Sequence, residues 1–219
     1  MNHLAVFDCD GTLVDSQANI CDAMEETFTR AGLAVPDREA VRRIVGLSLV
    51  EAVRELHPLG DAALHQAMAQ DYKSCFHALR GRGLVSEPLF DGIAETIAAL
   101  DADGWLLGVA TGKSDRGLNL CLAHHAIADR FVTLQTADRH PSKPHPSMLI
   151  QAMADAGAAP ATTVMIGDTR YDIAMAKAVG ATAIGVAWGY HDAAELHAEG
   201  ADRVARHPQE LIEMLKEMR

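Results

Sequence analysis

After residue 105 the sequence alternates short apolar runs with stretches of helical periodicity, and this alternation restricts the fold more than any other feature. Leu106-Leu107-Gly108-Val109-Ala110, Phe131-Val132-Thr133-Leu134, Thr163-Val164-Met165-Ile166 and Ala183-Ile184-Gly185-Val186 have the length and composition of buried strands. Residues 93–100, 118–123, 148–156 and 173–179 place apolar side chains at helical spacing around and between them. Repeated strand–helix–strand units imply a parallel sheet, so the fold class expected is α/β, a doubly wound Rossmann-like core. A fifth run, Leu4-Ala5-Val6-Phe7, stands alone, about a hundred residues before the next strand. A crossover needs only a dozen or so residues, so something is inserted. Within 17–79 the apolar groups Ala23-Met24-Thr27-Phe28, Val41-Ile44-Val45, Leu49-Val53-Leu56 and Leu64-Met68-Tyr72 all read as amphipathic helices. The expected organisation is a core of residues 1–15 and 86–219 with an all-helical cap domain, 16–85, returning through Gly81-Arg82-Gly83 towards Pro88. The two glycines suit a hinge or a plain turn.

With 219 residues, 49% hydrophobic and 22% charged, the chain can bury such a core. A net charge of -11 and a pI near 5.4 argue against a nucleic-acid or anionic-membrane surface, because no basic cluster offsets the field. Cys9, Cys21, Cys75 and Cys121 lack metal-ligand spacing and read as free thiols of a reducing compartment. The first strand starts within a few residues of Met1 and no apolar run approaches ~18 residues, so neither a signal peptide nor a membrane span is expected. The cytoplasm is the expected location.

Four segments carry candidate chemistry. Asp8-Cys9-Asp10-Gly11-Thr12 closes the first apolar run and puts two carboxylates at the strand's carboxyl end, where ligands sit in open parallel sheets. Converging acids suit a nucleophile with a proton donor, or a cation site; an ordinary Asp-Gly turn is the alternative. Gly108-Val109-Ala110-Thr111-Gly112-Lys113-Ser114 is one residue short of a P-loop and is rejected as one. Thr111 and Gly112 still lie between strand and helix, where a hydroxyl and free N–H groups can hold phosphate, or where Thr caps the helix. In Ser142-Lys143-Pro144-His145-Pro146 the prolines stiffen the stem of Lys143, an ordinary solvated surface lysine being the alternative. Asp168 and Asp172, in Gly167-Asp168-Thr169-Arg170-Tyr171-Asp172, form a second carboxylate pair at the same sheet edge, equally explicable as acids favouring a helix start.

In order and spacing these segments resemble the four motifs of the haloacid dehalogenase superfamily, whose capped members carry the insertion between the first motif and the second. Val14-Asp15-Ser16 and Ile184-Gly185-Val186-Ala187-Trp188-Gly189-Tyr190 look like its phosphoglycolate phosphatase group. The resemblance implies five parallel strands with the cap over their carboxyl ends, and a phosphatase acting on a small phosphomonoester through an aspartyl-phosphate. Asp8 would be the nucleophile and Asp10 the general acid and base. Mg²⁺ would be held by Asp8, Asp168 and the backbone carbonyl of Asp10, with Asp172 ordering the outer shell. Lys143, Thr111 and Gly112 would bind the phosphoryl oxygens. Dehalogenases lack the second aspartate, present here as Asp10. A β-phosphoglucomutase type of sugar phosphomutase shares this core, but has an arginine where Leu49 follows Gly46-Leu47-Ser48. A non-catalytic phosphate sensor or receiver-like switch expects its phosphoacceptor on a middle strand. Arg42, Arg43, Gly46 and Ser48 are the cap candidates for choosing the leaving group, the arginines by pairing with a carboxylate or, in the alternative, as solvated surface groups. Monomer and homodimer both remain open.

Overall fold

The structure, a computed structural model, describes residues 2–218. Strands β1 (Asn2–Phe7), β2 (Leu106–Thr111), β3 (Phe131–Thr136), β4 (Ala158–Gly167), β5 (Thr182–Val186) and β6 (Arg203–Ala205) form one parallel sheet in the order β3-β2-β1-β4-β5-β6. Side chains alternate along a strand. Ala5 and Phe7 therefore pack on one face with Ile93, Ile97, Leu118 and Leu211, while Leu4 and Val6 pack on the other with Met148, Leu149, Ile173 and Leu196. Burial on both faces is why the run 4–7 is continuously apolar, and it makes the core doubly wound.

Helices α1 (Gln17–Arg30), α2 (Arg38–Arg43), α3 (Leu49–Leu56) and α4 (Ala62–Gly81) lie between β1 and the core helix α5 (Ile93–Ala102). They enclose their own apolar cluster, including Met24, Phe28, Val41, Val53 and Met68. Asp37 and Asp61 start α2 and α4 by accepting the N–H of Ala40 and Leu64 at 2.6 and 2.8 Å. The chain leaves and re-enters the core side by side. Asp15 N donates to Pro88 O at 2.8 Å, Phe90 N donates to Leu13 O at 3.1 Å, and Val14 bridges Leu89 antiparallel. The remaining helices are α6 (Asp115–His124), α7 (Ser147–Ala156), α8 (Arg170–Val179), α9 (Ala193–Ala198) and α10 (Pro208–Lys216).

Two expectations change. Among the described residues the sheet has six strands and not five: β6 adds three residues beside β5, Arg203-Val204-Ala205, too short to stand out as an apolar run. The return linker starts one residue later than the spacing suggests, because Gly81 is the last residue of α4; Arg82 closes the helix and Gly83, at φ +69, turns the chain. All four cysteines are free and buried. Among the described residues no helix is long and apolar enough to cross a membrane.

Candidate active site

The strand order reverses at β1, and the register pairs Phe7 with Ile166 on one side and Val109 on the other. Residues just past these three strands are thereby brought to one point. Asp8 N donates to Ile166 O at 2.9 Å, and Asp8 Oδ1 accepts from Cys9 N at 2.7 Å and from Lys143 Nζ at 2.9 Å. Lys143 also donates to Asp172 Oδ1 at 2.6 Å. The other oxygen of Asp172 accepts from Thr169 N and Oγ1 at 3.1 and 2.7 Å, forming the capping box of α8. Asp168 sits in the turn before that helix, not on it. Its oxygens accept from Thr12 Oγ1 at 2.8 Å and from Tyr190 N at 2.9 Å. Gly11, at φ +86, leaves the room Asp168 occupies; a Cβ there would overlap its carboxylate.

Carboxylate oxygens of Asp8, Asp168 and Asp172 lie within 4.8 Å of one another, all three residues being fully buried. Burial pushes the Asp8 carboxyl up, the Lys143 ammonium draws it back and Asp172 raises it again, leaving it at about 7. Asp168 is held well above the carboxylate range by burial first, then by Asp8 and Asp172. Burial alone would lower Lys143, but Asp172 and Asp8 outweigh it and keep the ammonium charged. Two of the three acids, Asp8 and Asp172, thus share one ammonium, and Asp8 Oδ2, buried, has no hydrogen-bond partner. A hard divalent cation fits this donor set: it would satisfy the orphaned oxygen and offset the repulsion.

Asp10 lies beside this cluster, not in it. Its Oδ1 accepts from Ser16 Oγ and from Lys113 Nζ, the latter at 2.5 Å. Lys113 also meets Glu87 Oε1 at 2.8 Å, and Arg80 donates to Glu87 Oε2 at 2.6 Å. Of the two readings of the strand-to-helix segment, the capping role belongs to Ser114, whose hydroxyl accepts from Gly117 N at 3.1 Å. Thr111 is buried at the end of β2, its Oγ1 accepting from Lys113 N at 3.2 Å. Asp8, Asp10, Thr111 and Gly112 face a cavity of about 820 Å³, roofed by Gly46, Ser48 and residues of α3 and α4. Ser48 N donates to Ser142 Oγ at 2.7 Å, joining the insertion to the loop that carries Lys143.

Arg42 and Arg43 do not line this cavity, which corrects their selection as leaving-group contacts. The buried side of α2 is Val41, so the arginines point elsewhere: Arg43 pairs with Glu195, Arg42 donates to the carbonyl of Arg38, and both border a separate pocket of about 210 Å³. Cationic groups on the main cavity come instead from α4, as Lys73 and Arg80, from the turn after β2, as Lys113, and from the first turn of α6, as Arg116. The spacing of 72, 73, 76 and 80 on one helical face was the available signal for α4. Lys113 was visible only as part of a failed phosphate loop.

With this geometry, the sequence profile of the haloacid dehalogenase-like hydrolases matches residues 5–186, and the chain belongs to that family. A protein of Dickeya dadantii named Probable phosphatase IndB is 35% identical over all of this chain and 92% of its own length. Phosphoglycolate phosphatase of Vibrio vulnificus is 28% identical over 97% of this chain and 95% of its own. A crystal structure described as a predicted phosphatase from Clostridium acetobutylicum superposes with a TM-score of 0.89 at 26% identity, covering 99% of each chain.

Proposed function

We propose that this hydrolase is a Mg²⁺-dependent phosphatase that cleaves a small phosphomonoester, phosphoglycolate-like or related, through an aspartyl-phosphate. The observation that carries the reading is the unpartnered Oδ2 of Asp8, buried beside Lys143 at the floor of a cavity that Asp10 also faces. Asp8 attacks phosphorus as the ester P–O bond breaks, and Asp10 gives its proton to the leaving oxygen. Asp10 then takes a proton from water as that water displaces Asp8 from phosphorus, releasing inorganic phosphate and restoring both groups. Lys143 holds the attacking carboxylate and balances phosphoryl charge, while Thr111 and Gly112 donate to the phosphoryl oxygens. Asp8, Asp168 and the carbonyl of Asp10 would hold the cation, which supplies charge neutralisation between the acids and the phosphate dianion. Asp172, engaged by Lys143 and Thr169, acts from outside that set.

Residues 16–85 serve as a cap on a core of 1–15 and 86–219, with Gly46 and Ser48 as its contributions next to the phosphoryl site. No nucleic acid or membrane enters the reading, and the cytoplasm is its setting. The test is a phosphomonoester panel with Mg²⁺, including 2-phosphoglycolate, sugar phosphates and nucleotides, with and without a chelator. Phosphate release that stops on chelation and returns with Mg²⁺ is expected. Isomerised sugar phosphate without free phosphate would assign a mutase instead.

A further inference from the structure

Lys113 has no part in the chemistry above, yet it is among the most constrained cations in the molecule. Its side chain is 10% exposed and stands between two buried carboxylates, Asp10 at 2.5 Å and Glu87 at 2.8 Å. Glu87 is itself fixed from three directions. Arg80, at the end of α4, binds its carboxylate at 2.6 Å; the His125 ring meets its carbonyl at 2.7 Å; and its neighbour Pro88 accepts from Asp15 at 2.8 Å. Glu87 therefore marks the place where the helical insertion rejoins the core. A buried ammonium held on one side by Glu87 has little freedom on the other, because moving away from Asp10 would give up one of the two carboxyl groups that receive its protons in a site with little water. A proton donor must lie within hydrogen-bond reach of the leaving oxygen, and small misplacements are costly.

We propose that Lys113 is a positioning residue for Asp10, anchored by Glu87, so that the proton donor is aligned from the junction of insertion and core. The inference rests on Asp10 acting as general acid and base. It is tested with an alkyl phosphate, whose leaving group needs a proton, against 4-nitrophenyl phosphate, whose leaving group does not. Lys113→Met should lower kcat/KM, which reports formation of the aspartyl-phosphate and not its common hydrolysis, roughly tenfold or more for the alkyl ester and less than about threefold for the nitrophenyl ester. Glu87→Gln should shift the ratio in the same direction, and Lys113→Arg should recover part of it. Equal losses on both esters would overturn the proposal. Asp10→Asn, measured alongside, separates the two readings. If it is selective and the Lys113 and Glu87 variants are not, positioning fails alone; if it is unselective, the assignment of Asp10 fails and the inference with it. Should Lys113→Met not fold, Glu87→Gln decides, since it leaves the Lys113–Asp10 contact in place; an unchanged ratio there overturns the proposal.

Discussion

Replacing Asp8 with asparagine removes the proposed nucleophile and one of three clustered carboxylates while keeping the side chain's size. Turnover of every phosphomonoester should fall roughly a thousandfold or more. The melting temperature of the cation-free protein should hold or rise, because a buried acid shifted up to about 7 is unfavourable to ionise. A second residue, His191, reports on acid stability. It is 4% exposed, wedged between Arg170 N and the carbonyl of Arg43, and burial pushes its ring below the usual histidine range. A depressed pKa means the folded state disfavours the charged ring, so its contribution is present above about pH 6.5 and lost as pH falls through the folded value. His191→Gln should therefore flatten the decline in melting temperature below that pH; an unchanged slope would remove His191 as the cause. The ordered set of motifs, and no single one of them, singled out Asp8, Asp10, Lys143, Asp168 and Asp172, residues that stand just past a strand end, in the turn after it or before a proline. It could not place Arg42 and Arg43, because which way a surface side chain leaves a short helix depends on what packs beneath it, here Val41.

Gly112 joins two elements that are remote in the chain. A Cβ there would stand 2.5 Å from the carbonyl oxygen of Leu47 and 2.9 Å from that of Gly46, both backbone atoms that cannot rotate away. Gly112→Ala should hold the α2–α3 loop off the end of β2 and lower kcat/KM, while global unfolding free energy changes by less than about 1 kcal/mol. Steady-state kinetics with denaturant melts would check both halves. The elements themselves were largely readable: five strands, the cap helices and α5 to α8 follow from periodicity, whereas α9, α10 and β6 do not. The missing ones are instructive. Strand β6 pairs with β5 over three residues, too few for a hydrophobic run to show in the sequence. The end of α4 ran through Gly81 because helical continuity with Arg80, tied to Glu87, outweighs the modest penalty of one glycine.

For the molecule as a whole, the proposed cation site ties stability to metal binding. Mg²⁺ at a hundredfold its Kd should add about 2.7 kcal/mol to the unfolding free energy, and Asp168→Asn should abolish that gain in a thermal melt. An insertion whose entry and exit are hydrogen-bonded to each other has a further effect, on the order of folding events. Strands β1 and β2 are neighbours in the sheet but about a hundred residues apart in sequence, a contact that is slow to find by diffusion of an open loop. Once α1–α4 condense on Phe28 and its neighbours, Asp15 and Pro88 are brought to 2.8 Å and the separation that matters shrinks to a few residues. The helices would then act as an internal template for the sheet. Phe28→Ala should cost about 3–5 kcal/mol of stability and express most of it as slower refolding in stopped-flow experiments; accelerated unfolding at an unchanged folding rate would mean that the sheet forms first.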